Sequence, residues 1–281
     1  MYKIVRKKTL NKSVIQMEIE APLAVRNALP GQFVIVMAKE SSERIPLTIY
    51  DYDSEKGILK LIYQVIGAST EELTTVTDEI FSVTGPLGNP NEICANPKEF
   101  KGKRICYVAG GVGIAPVYPQ VKFLQEHGFD VDIIYGSRNV DLLLIRKESE
   151  KVAHKISYAT DDGSFGTKGF VTDILKKRIK DYDIVVAIGP VIMMKNVCNL
   201  TKEYGVKTIV SMNPLMVDGS GMCGACRCEV DGKPRFACIH GPEFDGHKVD
   251  FDLAMKRMNI YKEEEAIKWE EMKKRLAKEV A

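Results

Sequence analysis

The hydrophobic positions of the first hundred residues fall in short β-rich runs, at 2–7, 13–19, 33–37, 46–50, 58–66 and 79–84. Turn residues separate them: Pro30-Gly31, Asp53-Ser54, Gly85-Pro86 and Gly88-Asn89-Pro90. Many short strands without a long helix predict a small antiparallel β-barrel over residues 1–100. The pattern then changes. Apolar runs at 104–108, 131–135, 155–158, 184–188 and 207–210 alternate with helical stretches at 117–125, 171–178 and 193–204. That alternation predicts an α/β doubly wound parallel sheet over residues 101–212. A loop-rich cysteine segment follows, 213–250, and then a charged helical tail, 251–281. On the tail, Glu264 with Lys268, Glu270 with Lys274 and Glu271 with Arg275 have i,i+4 spacing. Trp269, Met272, Leu276 and Val280 form a narrow apolar stripe, suited either to a partner or to the chain's own surface.

A chain of 281 residues suits two compact domains with an appendage. A formal net charge of +2 gives no support to nucleic-acid binding. No apolar run is long enough to span a bilayer, and the start MYKIVRKKTL lacks the apolar core of a signal peptide. The expected location is the cytoplasm. There, seven cysteines argue against a disulfide framework, and the four crowded between Cys223 and Cys238 argue for metal.

The cysteine segment reads Asp218-Gly-Ser-Gly-Met-Cys223-Gly-Ala-Cys226-Arg-Cys228, with Cys238 beyond. Plant-type [2Fe–2S] spacing is C-x4-C-x2-C with a distant fourth ligand. Cys223 and Cys226 supply the x2 pair, Cys238 the distant ligand, and Asp218 stands where the first cysteine belongs. A carboxylate carries the same single charge as a thiolate, so Asp218, Cys223, Cys226 and Cys238 form the candidate ligand set. Glycines at 219, 221 and 224 let the loop bend closely around a cluster. Two other readings compete: a four-thiolate zinc site that includes Cys228, and Asp218 as a plain turn residue.

Arg44-Ile-Pro46-Leu47-Thr48-Ile-Tyr50 ends the barrel pattern. An arginine pairs with diphosphate, Pro46 and Leu47 keep the strand extended against a flavin, the Thr48 hydroxyl can reach the ring, and Tyr50 can stack on an aromatic. Ile62 belongs to the same candidate flavin set. At Gly67-Ala-Ser69-Thr70-Glu-Glu72 a helix starts, with Ser69 and Glu72 at capping-box spacing, and free amides there attract phosphate.

Gly110-Gly111-Val112-Gly113-Ile-Ala-Pro116 follows a strand and opens a helix, the context of a dinucleotide loop. Pro116 replaces the usual third glycine and suits a first helical turn. The next strand ends at Arg138 with no acidic residue to hold a ribose 2′-hydroxyl, which leaves NAD and NADP both open. Asp161 and Asp162, which suit either the nicotinamide or ribose side or a plain Asx turn, and then Gly189 and Pro190, follow later strands and complete the nicotinamide set.

In this order the motifs PGQF (30–33), RIPLTIY (44–50), GGVGIAP (110–116), TDDGSFG (160–166) and GPVIMMK (189–195), with the cluster segment, resemble the ferredoxin-reductase-like electron-transfer subunits with a C-terminal [2Fe–2S] domain. Two branches matter. One holds the small subunit of NADH-dependent reduced ferredoxin:NADP+ oxidoreductase and the similar sulfide dehydrogenase subunit. The other holds the electron-transfer subunit of dihydroorotate dehydrogenase. Asp218 is what the first branch looks like, so the resemblance favours it. The second normally has cysteine there. Ile188 stands where many relatives carry a cysteine, so no thiol faces the nicotinamide from that position. The resemblance implies FAD, NAD(H) and a [2Fe–2S] cluster. It implies hydride exchange between NAD(H) and FAD, and a larger flavin/iron–sulfur partner subunit that connects indirectly to ferredoxin and NADP(H). No catalytic acid or base is implied. A stand-alone flavin reductase and a zinc-stapled binding protein are the competing classes.

Overall fold

The computed structural model describes residues 1–280, with side chains through Lys278. Of the expected apolar stripe, the Val280 side chain lies outside the described residues. The first hundred residues form β1 (Tyr2–Asn11), β2 (Val14–Glu20), β3 (Phe33–Met37), β4 (Ile45–Asp53), β5 (Ile58–Gln64), β6 (Glu79–Ile80) and β7 (Ser82–Leu87). They pair antiparallel in the order β6-β1-β2-β5-β4-β3-β7. Only Phe81 separates β6 from β7, so the two edges of the order are parts of one stretch and the sheet curls round on itself. The helices α1 (Pro22–Val25), α2 (Ala68–Thr75) and α3 (Glu92–Ala95) are short.

Side chains alternate across the curled sheet, as a strand period of two requires. On β3, Val34 and Val36 join Met17, Leu59 and Leu61 in the barrel core, while Phe33 and Ile35 pack with residues of the later segments. On β4, Leu47 and Ile49 face the barrel core, whereas Tyr50 joins the core of the second unit.

The second unit contains β8 (Ile105–Gly110), α4 (Ile114–Glu126), β9 (Val131–Ser137), α5 (Arg146–Val152), β10 (Lys155–Thr160), β11 (Thr167–Lys168), α6 (Val171–Arg178), β12 (Ile184–Ile188), α7 (Val191–Glu203) and β13 (Lys207–Ser211). Next come the hairpin strands β14 (Arg227–Val230) and β15 (Lys233–Phe236), α8 (Ala237–His240), β16 (Glu243–Asp245), α9 (Phe251–Met258) and α10 (Lys262–Val280). The second sheet has the order β11-β10-β9-β8-β12-β13-β16. It is parallel except for the β13–β16 pair. Chain order reverses between β8 and β12, and that switch point is where open α/β sheets bind ligands.

The cysteine segment packs against both units. Its strand β16 is the antiparallel edge of the second sheet, and Cys226, Cys228 and Cys238 are buried with Phe33 and Ile35 of the barrel. The tail consists of two helices: α9 packs against the second unit, with Lys195 Nζ 2.7 Å from Asp252, while α10 crosses back onto α2. The Trp269 indole N–H donates to Glu71 at 3.0 Å, so the described part of the stripe covers this chain's own helix. None of the expected i,i+4 pairs on α10 forms among the described residues. Lys268 and Arg275 reach Glu43 and Glu72 instead. Glu72 is buried, and a buried carboxylate needs a cationic partner more than an exposed one does.

Candidate functional site

A crevice of about 810 Å³ opens between the curled sheet and the carboxyl ends of the parallel strands. That is within the roughly 300–1,000 Å³ range of small-molecule sites. The barrel side contributes Gly31, Phe33, Pro46, Thr48 and Gln64. The facing side contributes Gly110, Gly111, Val112, Gly113 and Pro116 from the loop between β8 and α4, then Arg138, Asp161, Gly189 and Pro190. The floor continues through Ser211, Met212, Asn213, Pro214 and Met216 towards the cysteine segment.

The loop glycines differ in what they do. Gly111 has φ +55 and nothing within 4 Å of where a Cβ would stand, so its backbone is open to an approaching ligand. A Cβ on Gly113 would lie 2.2 Å from the Ile188 carbonyl oxygen, so Gly113 lets α4 begin against β12 at the switch point. Pro116 is the third residue of α4, where its missing N–H costs nothing. This arrangement fits a dinucleotide diphosphate: open backbone, no side chain in the way, and a helix start directed at it.

The two faces are held in register by partly buried contacts. The Tyr50 and Tyr118 rings lie 5.0 Å apart, centroid to centroid. Tyr50 is 5% exposed, so its aromatic partner is Tyr118 of α4 rather than a ring in the crevice. Ile62 is buried in the same core. Asp51 accepts from Lys60 at 2.8 Å and from Lys122 at 2.9 Å. Burial pushes the Asp51 carboxyl up, but the two ammonium groups outweigh it and hold it below the usual range.

Other expected residues stand outside the crevice. Leu47 faces the barrel core. Helix α2 starts two residues earlier than the Ser69–Glu72 spacing implies: Gly67 is its N-cap, and the Thr70 hydroxyl accepts from the Gly67 amide at 3.1 Å. Ser69, already inside the helix, donates to Glu43 at 2.8 Å. Asp162 makes a local turn by accepting from the amide and hydroxyl of Ser164, while its neighbour Asp161 lines the crevice. Arg44 turns towards the cysteine segment, donating to the carbonyls of Val217 at 3.0 Å and Asp218 at 3.3 Å. Asn11, Gln64, Phe170, Asn196 and Asn213 also line the crevice, beyond the residues the motifs name. They belong to no local motif, and only strand alternation on β5 offered a signal for Gln64.

In the cysteine segment the Cys226 and Cys238 sulfurs lie 3.2 Å apart. Burial, and then the Cys226 thiol, push the Cys238 thiol up, and a cation beside it would favour the thiolate. Gly219, Gly221 and Gly224 all have positive φ, as a tightly wound loop needs. Cys223 is exposed at the loop's outer side. The Asp218 carboxylate accepts from the amides of Ser220 and Cys223, each at 2.9 Å. Among the described residues these side chains do not converge into a closed cage. The donor chemistry still suits a thiophilic metal group: paired thiols, a loop with amides turned inwards, and a carboxylate within the same turn. Cys228 lies on β14, buried, with its sulfur 3.8 Å from the Cys226 carbonyl.

Comparison with known proteins bears on all of these features. Residues 213–250 match the iron–sulfur cluster binding domain of dihydroorotate dehydrogenase B, and residues 107–199 match the oxidoreductase NAD-binding domain. The chain is 44% identical over 271 residues to a Thermotoga maritima dihydroorotate dehydrogenase B (NAD(+)) electron transfer subunit homolog, covering 95% of this chain and 94% of that one. It is 51% identical over 272 residues to a Clostridium beijerinckii protein described as an uncharacterized protein in the adh 3′ region, covering 94% and 92%. A solved structure of the NADH-dependent reduced ferredoxin-NADP oxidoreductase, studied for flavin-based electron bifurcation, superposes with a TM-score of 0.86 at 40% identity, covering 96% and 97%. Ferredoxin-NADP+ reductase from Plasmodium falciparum shares the fold at 18% identity and a TM-score of 0.55, covering 72% of this chain and 89% of that one. The chain therefore belongs to the family of dihydroorotate dehydrogenase B electron-transfer subunits and their homologues.

Proposed function

We propose that this chain is the NAD(H)-linked electron-transfer subunit of a flavin and iron–sulfur oxidoreductase, of the electron-bifurcating NADH-dependent ferredoxin:NADP+ type. The observation that carries the reading is the single crevice shared by the curled sheet and the switch point, with the cysteine segment packed against its floor. When bound, the flavin exchanges a hydride with the nicotinamide and passes on electrons singly, and the [2Fe–2S] cluster carries them towards a larger partner subunit.

The chain's own contribution is placement. Pro46 and Thr48 present one side of β4 to the flavin. Gly110, Gly111 and Gly113, with the start of α4, take the dinucleotide diphosphate, and Gly189 and Pro190 border the nicotinamide. Arg138 and Asp161 stand at the strand ends where the ribose and adenine side belongs. Tyr50 with Tyr118, and Asp51 with Lys122, keep the two halves at a fixed separation so that hydride donor and acceptor meet in one geometry. Cys223, Cys226, Cys238 and Asp218 are the residues that would hold the cluster. A side chain that moves a proton is not required.

The bifurcating branch is supported by the 40% identity to the NADH-dependent reduced ferredoxin-NADP oxidoreductase chain and by Asp218 in place of a cysteine. Seven free cysteines favour a reducing, cytoplasmic location. No described helix is long and apolar enough to cross a membrane. Anaerobic purification of the native complex tests the reading. Flavin bands with a reducible ferric shoulder, NADH-dependent bleaching and a copurifying ferredoxin- and NADP(H)-reactive subunit are expected. A colourless zinc protein, or a partner that oxidises dihydroorotate, would overturn it.

A further inference from the structure

Arg44 was expected on a flavin diphosphate, yet its guanidinium joins the barrel to the cysteine segment. Nε donates to the Val217 carbonyl at 3.0 Å and Nη2 to the Asp218 carbonyl at 3.3 Å, across 173 and 174 residues of sequence. These carbonyls belong to the two peptides that follow Val217 and Asp218. Each peptide is planar and trans, so fixing its oxygen also fixes the opposite direction of its N–H. Arg44 thus sets how the loop enters the turn in which Asp218 accepts from the amides of Ser220 and Cys223.

The loop meets the barrel a second time next to this point. A Cβ on Gly219 would lie 2.7 Å from Leu87 and 3.0 Å from Ile35, so the backbone rests directly on β3 and β7. Apolar contact holds one side of the loop and Arg44 holds the other. A planar fork that spans two carbonyls does this as an ammonium group cannot. The guanidinium is also a permanent positive charge at the edge of the loop. A reduced cluster carries one more negative charge than an oxidised one, so this charge favours the reduced form.

We propose that Arg44 is a positioning residue for the iron–sulfur loop, shared with the flavin-binding strand, which holds the loop in place and raises the reduction potential of the cluster it carries. The inference rests on residues 218–238 carrying a cluster.

The test is an EPR-monitored redox titration of the native complex, wild type against Arg44→Gln, with flavin content measured alongside. The expected result is a cluster that still loads in R44Q but titrates at lower potential and loses iron to a chelator several-fold faster. An iron-loaded R44Q with unchanged potential and unchanged chelator kinetics overturns the proposal, whether or not flavin is lost. Loss of flavin alone would make Arg44 a diphosphate ligand only. If R44Q does not fold, Arg44→Lys carries the test: it keeps the charge but cannot span both carbonyls. Faster iron loss in R44K then supports the positioning role, and a rate equal to wild type overturns it. Wild-type protein without iron would instead sink the cluster reading itself.

Discussion

Lys122 Nζ on α4 lies 2.9 Å from Asp51 Oδ1 on β4, and this contact joins the flavin-side strand to the helix that begins at the dinucleotide loop. The Asp51 side chain is 14% exposed and also takes Lys60, so removing its charge leaves two cations poorly compensated. Asp51→Asn is expected to cost on the order of 1–3 kcal/mol in denaturant titration, between the values for exposed and buried pairs. It should also slow hydride transfer from NADH more than it weakens NADH binding, because the contact governs separation rather than affinity. The folded carboxyl value is lowered, so the pair's stability is present above the unfolded value of about 3.9 and is lost as pH falls through the lower folded value. A wild-type acid unfolding curve that D51N reproduces would count against this role.

Glu243 gives the opposite pH dependence. Its carboxylate on β16 accepts from Asn91 at 2.6 Å and Gln120 at 2.7 Å, where the three parts of the chain meet. Burial pushes its pKa up to about 7 against the pull of those two amides, and nearby Glu92 adds to the rise. The folded state therefore holds a proton that the unfolded chain releases near 4.3. The resulting stability is complete below that value and is lost as pH rises to about 7, on the order of 3 kcal/mol in all. Glu243→Gln should remove this slope and exceed wild-type stability at pH 8, since a turn of the Gln120 amide lets the new NH2 donate to Gln120 Oε1, which has no partner. Parallel stability–pH curves for the two proteins would refute the assignment.

The loop glycines separate binding from folding. Gly111→Ala has space but a left-handed backbone, so a loss of about 1 kcal/mol is expected. NADH affinity should fall further, because the new methyl stands where the ligand approaches. Gly113→Ala forces the chain against the Ile188 backbone and should cost about 1–3 kcal/mol or more. Thermal melts with and without NADH distinguish them. Equal losses of stability would contradict the geometry.

Cys228 decides between cluster and zinc. It is buried on β14 as a small apolar residue, so Cys228→Ala should retain iron and the visible spectrum with a modest stability loss of about 1 kcal/mol. Cys226→Ala and Cys238→Ala should lose both. Metal loss in C228A, measured by iron and zinc analysis, would favour the four-thiolate site.

Most of the fold was legible from sequence because its signals are local. The strands at 33–37 and 184–188 and the helix at 171–178 coincide with β3, β12 and α6, since run length and bounding turns specify them. The glycine loop was legible for the same reason: strand, open turn and helix are consecutive. The i,i+4 pairs on α10 misled, because Glu43 and Glu72, distant in sequence, take Lys268 and Arg275, and Lys273 takes Glu270 at i,i+3 spacing.

The sequence alone determined the main strand and helix runs before the cysteine segment, the glycine loop and the crowded cysteines, all properties of neighbours along the chain. Only the tertiary structure decided what meets across it. It turned Tyr50 onto Tyr118, carried β16 to the edge of the second sheet and swung Arg44 onto the carbonyls of Val217 and Asp218. Such contacts arise where two surfaces bury one another. They depend on which face of each strand is already taken by its own core, and no spacing rule within a single segment contains that information.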